Sequence, residues 1–388
     1  MTTPRLSNTD IDELTAWRRA LHRHPELSGE EVETARRVAT MLAATGPERL
    51  VTGLGGTGVA ALYEGVEPGP RVLLRCELDA LPIQETSGAA HASELPGKGH
   101  LCGHDGHMTM LAAMARLLGR QRPPRGSVVL LFQPAEEDGA GAARVLADPG
   151  FEPLRPDYAF AIHNMPGMRL GHVAVNAGPG ACASRGMRIR LTGRTAHASQ
   201  PERGVSPMPA MAALMPALTA LGSGGAETGG NFALATVTHA RMGEPAFGIA
   251  PGEAEIFVTL RALSDPRMDR LVTEAETLVA TEAAAHGLAV EIGYEDVFLT
   301  TSTDAEAAVI VTRALDRIGR PHGPEPLPMR ASEDFGRFGA EAVLGFLLLG
   351  SGEDHPALHN PDFDFPDDLI PIGATIFSAI VEEILGTP

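Results

Sequence analysis

Apolar residues in this chain recur first at helical spacing and then in short unbroken runs, and that change of period outlines the fold. Ile11, Leu14, Trp17, Ala20 and Leu21 predict a helix, with Ser, Asn, Thr and Asp before them as cap candidates and Pro25 ending it. Ser28-Gly29-Glu30-Glu31 reads as a capping box for a second helix carrying Val32, Ala35, Val38, Ala39 and Leu42, stopped at Gly46. Residues 58–64 and 71–78 read as strands, 108–118 as a helix, and 127–133 and 158–163 as buried strands. Strand alternating with helix predicts an α/β domain, a mostly parallel sheet with helices on both faces.

The pattern changes near Ser184. Met187, Ile189 and Leu191 alternate with Arg188 and Arg190, the mark of a half-exposed strand. A helix (206–221), a Gly-rich loop (222–231), strands 232–241 and 253–261, a helix (265–286) and a strand (289–294) follow. That β-α-β-β-α-β order predicts a ferredoxin-like α+β unit. A helix over 304–318, a strand over 344–350 and a final helix from Asp367 to Leu385 then resume the first pattern. The expected organisation is a catalytic domain of residues 1–183 plus 298–388, interrupted by an inserted domain of 184–297.

Composition narrows the function. The 388 residues are 44% hydrophobic and 21% charged, with a net charge of −18, which argues against nucleic acid and anionic membrane surfaces as partners. Cys76, Cys102 and Cys182 are too few for a disulfide scaffold. No signal-peptide core and no run of ~20 apolar residues is visible, so a cytoplasmic location is expected.

Candidate chemistry gathers at the carboxyl ends of the predicted parallel strands, where open α/β sheets bind ligands. Strand 71–78 runs into Asp79, with Glu77 just before it, and strand 127–133 into Glu136-Glu137. Strand 158–162 delivers His163, and strand 344–350 is followed by His355 and His359. Gly99-His100-Leu101-Cys102-Gly103-His104-Asp105-Gly106-His107 crowds a thiol, three imidazoles and a carboxylate at the mouth of a helix. A mixed sulfur, nitrogen and oxygen set suits Zn²⁺, Mn²⁺, Co²⁺ or Ni²⁺ and not Mg²⁺ or Ca²⁺. Cys76 and Cys182 read as small buried hydrophobes. His22, His24, His172, His239, His286 and His322 read as structural or surface residues.

Several motifs together resemble one family. They are Arg18-Arg19-Ala20-Leu21-His22-Arg23-His24-Pro25-Glu26-Leu27-Ser28, Leu78-Asp79-Ala80-Leu81-Pro82, Cys102-Gly103-His104-Asp105-Gly106-His107 and Phe132-Gln133-Pro134-Ala135-Glu136-Glu137. Gly193-Arg194-Thr195-Ala196-His197-Ala198, Ser332-Glu333-Asp334-Phe335 and Leu358-His359-Asn360-Pro361 complete the set. The chain resembles, nearly end to end, the N-acyl-amino-acid amidohydrolases of the hippurate hydrolase and auxin-conjugate hydrolase type, a branch of the aminoacylase and carboxypeptidase metallopeptidase superfamily. The resemblance implies two divalent metal ions held by Cys102, His104, Glu137, His163 and His359, with Glu136 as general base. It implies that Asp79 orients a ligand, that the inserted domain mediates a homodimer, and that His197 serves an active site, that of the partner subunit. On this reading His100, Asp105 and His107 keep only supporting or helix-capping roles.

Three positions depart from the family pattern. Glu77-Leu78-Asp79 stands for Asp-x-Asp, Leu101 for Ala, and Gly248-Ile249-Ala250-Pro251 for Asn-Val-Ile-Pro. The implied reaction is hydrolysis of a small N-acyl-amino acid. Glu136 takes a proton from the attacking water and returns it to the leaving amine, while His197 helps hold the oxyanion. Rival readings are a dipeptidase, desuccinylase or N-carbamoyl hydrolase of the same superfamily, a thiol amidase using Cys102, and a catalytically silent acyl-amino-acid-binding protein.

Overall fold

A computed structural model of the chain describes residues 5–222 and 231–387. The Gly-rich loop expected at 222–231 therefore lies largely outside the described residues. The chain divides into two compact units. One comprises the residues up to Gly180, Thr301–Leu327 and Asp334 onward, and the other Ala181–Thr300 with Pro328–Glu333.

The first unit is built on an eight-stranded sheet. Its order is Arg49–Leu54, Gly58–Glu64, Arg125–Gln133, Glu67–Glu77, Tyr158–Pro166, Val343–Gly352, Val173–Ala174 and His322–Gly323. The four strands Arg125–Gln133, Glu67–Glu77, Tyr158–Pro166 and Val343–Gly352 are parallel to one another. Their interiors are almost wholly buried, which is why they read as apolar runs rather than alternations. The strand Arg49–Leu54 has no apolar period and escaped the sequence reading. It is an antiparallel edge strand with only Leu54 buried.

Two helix starts differ from expectation, each because its polar residues serve the site. Helix Val32–Ala43 has no capping box at Ser28. Instead Glu26 accepts from the Thr34 and Glu33 N–H groups at 2.8 and 3.2 Å. Ser28 donates to Asp79 at 2.7 Å, and Glu31, fully buried, turns inward. The next helix runs His104–Arg120, four residues earlier than its apolar pattern predicts. Its first turn is polar yet buried, so it breaks the hydrophobic period without leaving the helix. Asp105 makes no cap bond, and the N-cap residue is Gly103, in the left-handed region at φ 89°.

The second unit is a four-stranded antiparallel sheet in the order Ala233–Met242, Glu253–Ala262, Ala183–Thr192, Ala289–Phe298. Numbered along the chain that order is 2-3-1-4, the ferredoxin-like arrangement. Met187, Ile189 and Leu191 face helices Met208–Ala220 and Asp265–Ala285, and Arg188 and Arg190 point away, as the alternation requires. Among the described residues no helix is long and apolar enough to cross a membrane.

Candidate metal centre

Each polar side chain of the centre sits where a parallel strand or the helix His104–Arg120 ends its hydrogen-bond ladder. Asp79 follows strand Glu67–Glu77, and Glu136 and Glu137 follow Arg125–Gln133. His163 lies in the last half of Tyr158–Pro166, and His359 follows Val343–Gly352. Two non-glycine residues on these turns, Ala135 and His359, have positive φ (51° and 65°). Such a conformation persists only when its surroundings over-determine it. For Ala135 they do: its N–H donates to buried Glu31 at 2.8 Å, and its carbonyl accepts from Gly141 at 2.9 Å. A side chain at Gly141 would strike the Pro134 carbonyl, so the Glu136-Glu137 turn is wedged from both sides.

The potential ligand atoms converge in overlapping groups. Those of Cys102, His104 and His163 lie within 4.8 Å of one another, as do those of Cys102, Glu137 and His359, and those of His104, Glu136 and Glu137. Cys102 Sγ stands 3.5 Å from His163 Nε2. Glu137 Oε1 stands 3.6 Å from His359 Nε2 and 3.9 Å from His104 Nε2. Two ligands at about 2.1 Å from one ion, near tetrahedral angles, are roughly 3.4 Å apart, so these separations fit a coordination shell. His355 is not among them; its Nε2 is bonded to the Asp364 carbonyl at 2.7 Å.

The imidazoles are set for ligation. His104 Nδ1 donates to the Asp79 carbonyl at 2.8 Å, and His163 Nδ1 to the Asn164 carbonyl at 2.7 Å. Both tautomers thereby aim the Nε2 lone pair into the centre. His104 Nε2 is buried with no hydrogen-bond partner, and once its proton leaves it offers the lone pair that a cation takes. Asp79 Oδ2 accepts from Ser28 and from the Glu137 N–H at 2.9 Å, so it joins both carboxylate-bearing turns.

Electrostatics point the same way. Burial, and then the Glu137, Glu136 and Glu77 carboxylates, push the Cys102 thiol well above its ordinary range. Burial pulls His104 down, but its bond to Asp79 and the charges of Glu77, Asp79 and Glu137 prevail and lift it to about 10. Burial, then His107, pushes His163 down to about 3. A buried pocket that raises its own thiol and imidazole in this way lacks positive charge, and a divalent ion would supply it. The donor set fits a thiophilic transition metal.

Sequence reasoning missed the support beneath the centre. His22, expected to be structural or at the surface, is structural. Fully buried, it bonds Asp105 at 2.9 Å and lies 3.3 Å from Glu85. Arg18, also fully buried, reaches Asp105 and Asp364 at 2.8 Å each and Asp367 at 2.6 Å. It thus clamps the first turn of the His104 helix to the segment after His359. Replacing Arg18 with Met would remove the cation that bridges Asp105, Asp364 and Asp367 and leave buried Asp105 to His22; breaking such a buried pair typically costs up to about 3–5 kcal/mol. Thermal unfolding of the variant should show a loss of that order, and a wild-type melting point would mean that the clamp carries no stability.

In the second unit His197 lies on the short strand Ala196–His197, paired with Ile249–Ala250, and is exposed. Its Nδ1 accepts from the Ser199 N–H at 3.1 Å and meets Ser199 Oγ at 2.8 Å, which places the ring proton on Nε2.

Comparisons with known proteins agree on what this chain is like. Residues 73–383 match the family model described as peptidase family M20/M25/M40. The chain is 31% identical over 390 residues to the IAA-amino acid hydrolase ILR1-like 5 of Arabidopsis thaliana, covering 97% of this chain and 87% of that protein. It is 30% identical to the hippurate hydrolase of Campylobacter jejuni, with 95% of each covered. Among solved structures, the YXEP protein of Bacillus subtilis, described as a dinuclear metal-binding peptidase, superposes with a TM-score of 0.83 at 25% identity, covering 99% of this chain and all of that one.

Proposed function

The chain belongs to the peptidase family M20/M25/M40, and from that premise we propose that it is a two-metal amidohydrolase cleaving N-acyl-amino acids to a carboxylic acid and an amino acid. The observation that carries this reading is the convergence of Cys102, His104, Glu137, His163 and His359 in overlapping groups, with His104 Nε2 buried and without a hydrogen-bond partner and Glu136 beside His104 and Glu137. Those five residues would hold two divalent ions of the Zn²⁺, Mn²⁺, Co²⁺ or Ni²⁺ type. When bound, such a pair supplies an acidified water and a Lewis acid for the amide carbonyl.

The chain's own residues do the rest. Glu136, next in sequence to ligand Glu137 and almost fully buried, takes the proton of the attacking water and hands it to the leaving amine. Asp79 is a positioning residue, since it holds His104 and the Glu137 N–H. His197 donates its Nε2–H to the developing oxyanion, a donor of a type worth about 3 kcal/mol. On this reading it does so in the partner's site of a homodimer formed through the second unit. The fixed tautomer and the exposure of His197 support that role.

An acyl-amino-acid substrate is supported by the relatives named for IAA-amino acids and hippurate. The test is a panel of acetyl-, benzoyl- and indole-acetyl-amino acids incubated with metal-reconstituted protein, scored by the amino acid released. At least one should be hydrolysed, and a chelator should abolish that activity. Turnover confined to dipeptides or N-carbamoyl compounds would reassign the substrate class. Activity that survives chelation but falls to thiol alkylation would make Cys102 a nucleophile instead.

A further inference from the structure

We infer that Glu77, His107 and Asn164, anchored by Arg75, are positioning residues that fix His163 and the Cys102-Gly103-His104 turn from beneath. The inference rests on the metal-centre reading above. These residues come from three elements that the fold brings together: Glu77 ends strand Glu67–Glu77, Asn164 lies in the neighbouring parallel strand Tyr158–Pro166, and His107 is in the first turn of His104–Arg120. All are buried to within 1%.

Contacts run through them as one line. The Arg75 guanidinium donates to Glu77 Oε1, to Gln133 Oε1 at 2.9 Å and to Asp334 Oδ1 at 2.6 Å. Asp334 is held in turn by Gln133 Nε2 at 2.9 Å and by the Ala142 N–H at 2.7 Å. Glu77 thus spends one oxygen on a fixed cation and offers the other, Oε2, to His107 Nδ1 at 2.6 Å. His107 Nε2 stands 2.6 Å from Asn164 Oδ1 and 3.1 Å from the Asn164 backbone nitrogen, so both the side chain and the backbone of Asn164 meet the ring. The Asn164 carbonyl then fixes the His163 tautomer at 2.7 Å. The His107 ring also stands edge-on to His163, with centroids 4.7 Å apart.

Asn164 has a second task. A Cβ on Gly103 would come within 2.2 Å of Asn164 Oδ1. Its side-chain amide therefore fills the space left by the glycine between Cys102 and His104, the contact that Asn164→Ala removes, while its backbone carbonyl orients His163. One residue thus packs against Gly103, between Cys102 and His104, and orients His163.

The test measures metal binding and not turnover. Asn164→Ala and Glu77→Gln proteins, prepared as apoproteins, are titrated with Co²⁺ against a competing chelator, and the visible bands of the loaded protein report ligand geometry. Each variant should bind one of the two ions 10–100-fold more weakly, with altered bands, while the other ion keeps its affinity. If Glu77→Gln misfolds, His107→Gln, which leaves Arg75 both Glu77 and Asp334, is titrated instead. Folded variants that bind both ions with wild-type affinity and spectrum, changing only the apoprotein melting point, would overturn the inference. Failure of the metal-centre reading looks different: there the wild-type protein itself would not bind two ions, or would bind them undiminished in Cys102→Ser.

Discussion

Glu136→Gln should lower turnover by about 10²–10⁴-fold, the usual worth of a positioned general acid–base group, while two metal ions stay bound. The substitution is isosteric, so the wedged turn between Ala135 and Gly141 keeps its shape. What is lost is the capacity to hold a proton between the attack of water and the departure of the amine. The ions should remain because Glu137, and not Glu136, lies with Cys102 and His359. The structure also sharpens the alternative, because a Glu136 oxygen lies within 4.8 Å of ligand atoms on His104 and Glu137. Metal content by elemental analysis therefore decides between the roles. A variant that loses an ion would make Glu136 a ligand, and one with wild-type turnover would remove it from the chemistry.

The candidate site was legible where chemistry coincides with a strand end. Asp79, Glu136, Glu137 and His163 each follow or close an apolar run, and a parallel sheet sends all such ends to one rim. The second unit's ferredoxin-like arrangement followed from its β-α-β-β-α-β element order, and its one covered face from the period of two. What stayed hidden depends on pairing at long range. Arg18 reads as one more helical arginine until Asp105 and Asp364 are seen around it, 87 and 346 residues away. Ser28 and Glu31 carry the local signature of a capping box, and long-range partners took both: Asp79, 51 residues on, and the Ala135 N–H, 104 residues on. Asn164 had no signal beyond its place after His163, because its role follows from the missing side chain of Gly103. Local propensity predicts an element's existence well and its polar partners poorly, because burial decides those partners.

Metal affinity should rise steeply with pH, by up to about 100-fold per pH unit near neutrality. The sign follows from which protons must leave. Cys102, pushed up by burial and the surrounding carboxylates, and His104, lifted to about 10, are both protonated in the apoprotein at pH 7 to 8. Each must give up its proton to ligate. His163, held down to about 3, is already neutral and releases none. Two protons displaced per loaded centre give a slope of two in log affinity against pH, and the slope diminishes as pH approaches the His104 value. Calorimetric titration in buffers of different ionisation enthalpy counts those protons directly. Cys102→Ser should lose one of them together with part of the affinity. A proton count near zero would mean that Cys102 and His104 do not ligate, because each carries a proton in the apoprotein that ligation must displace.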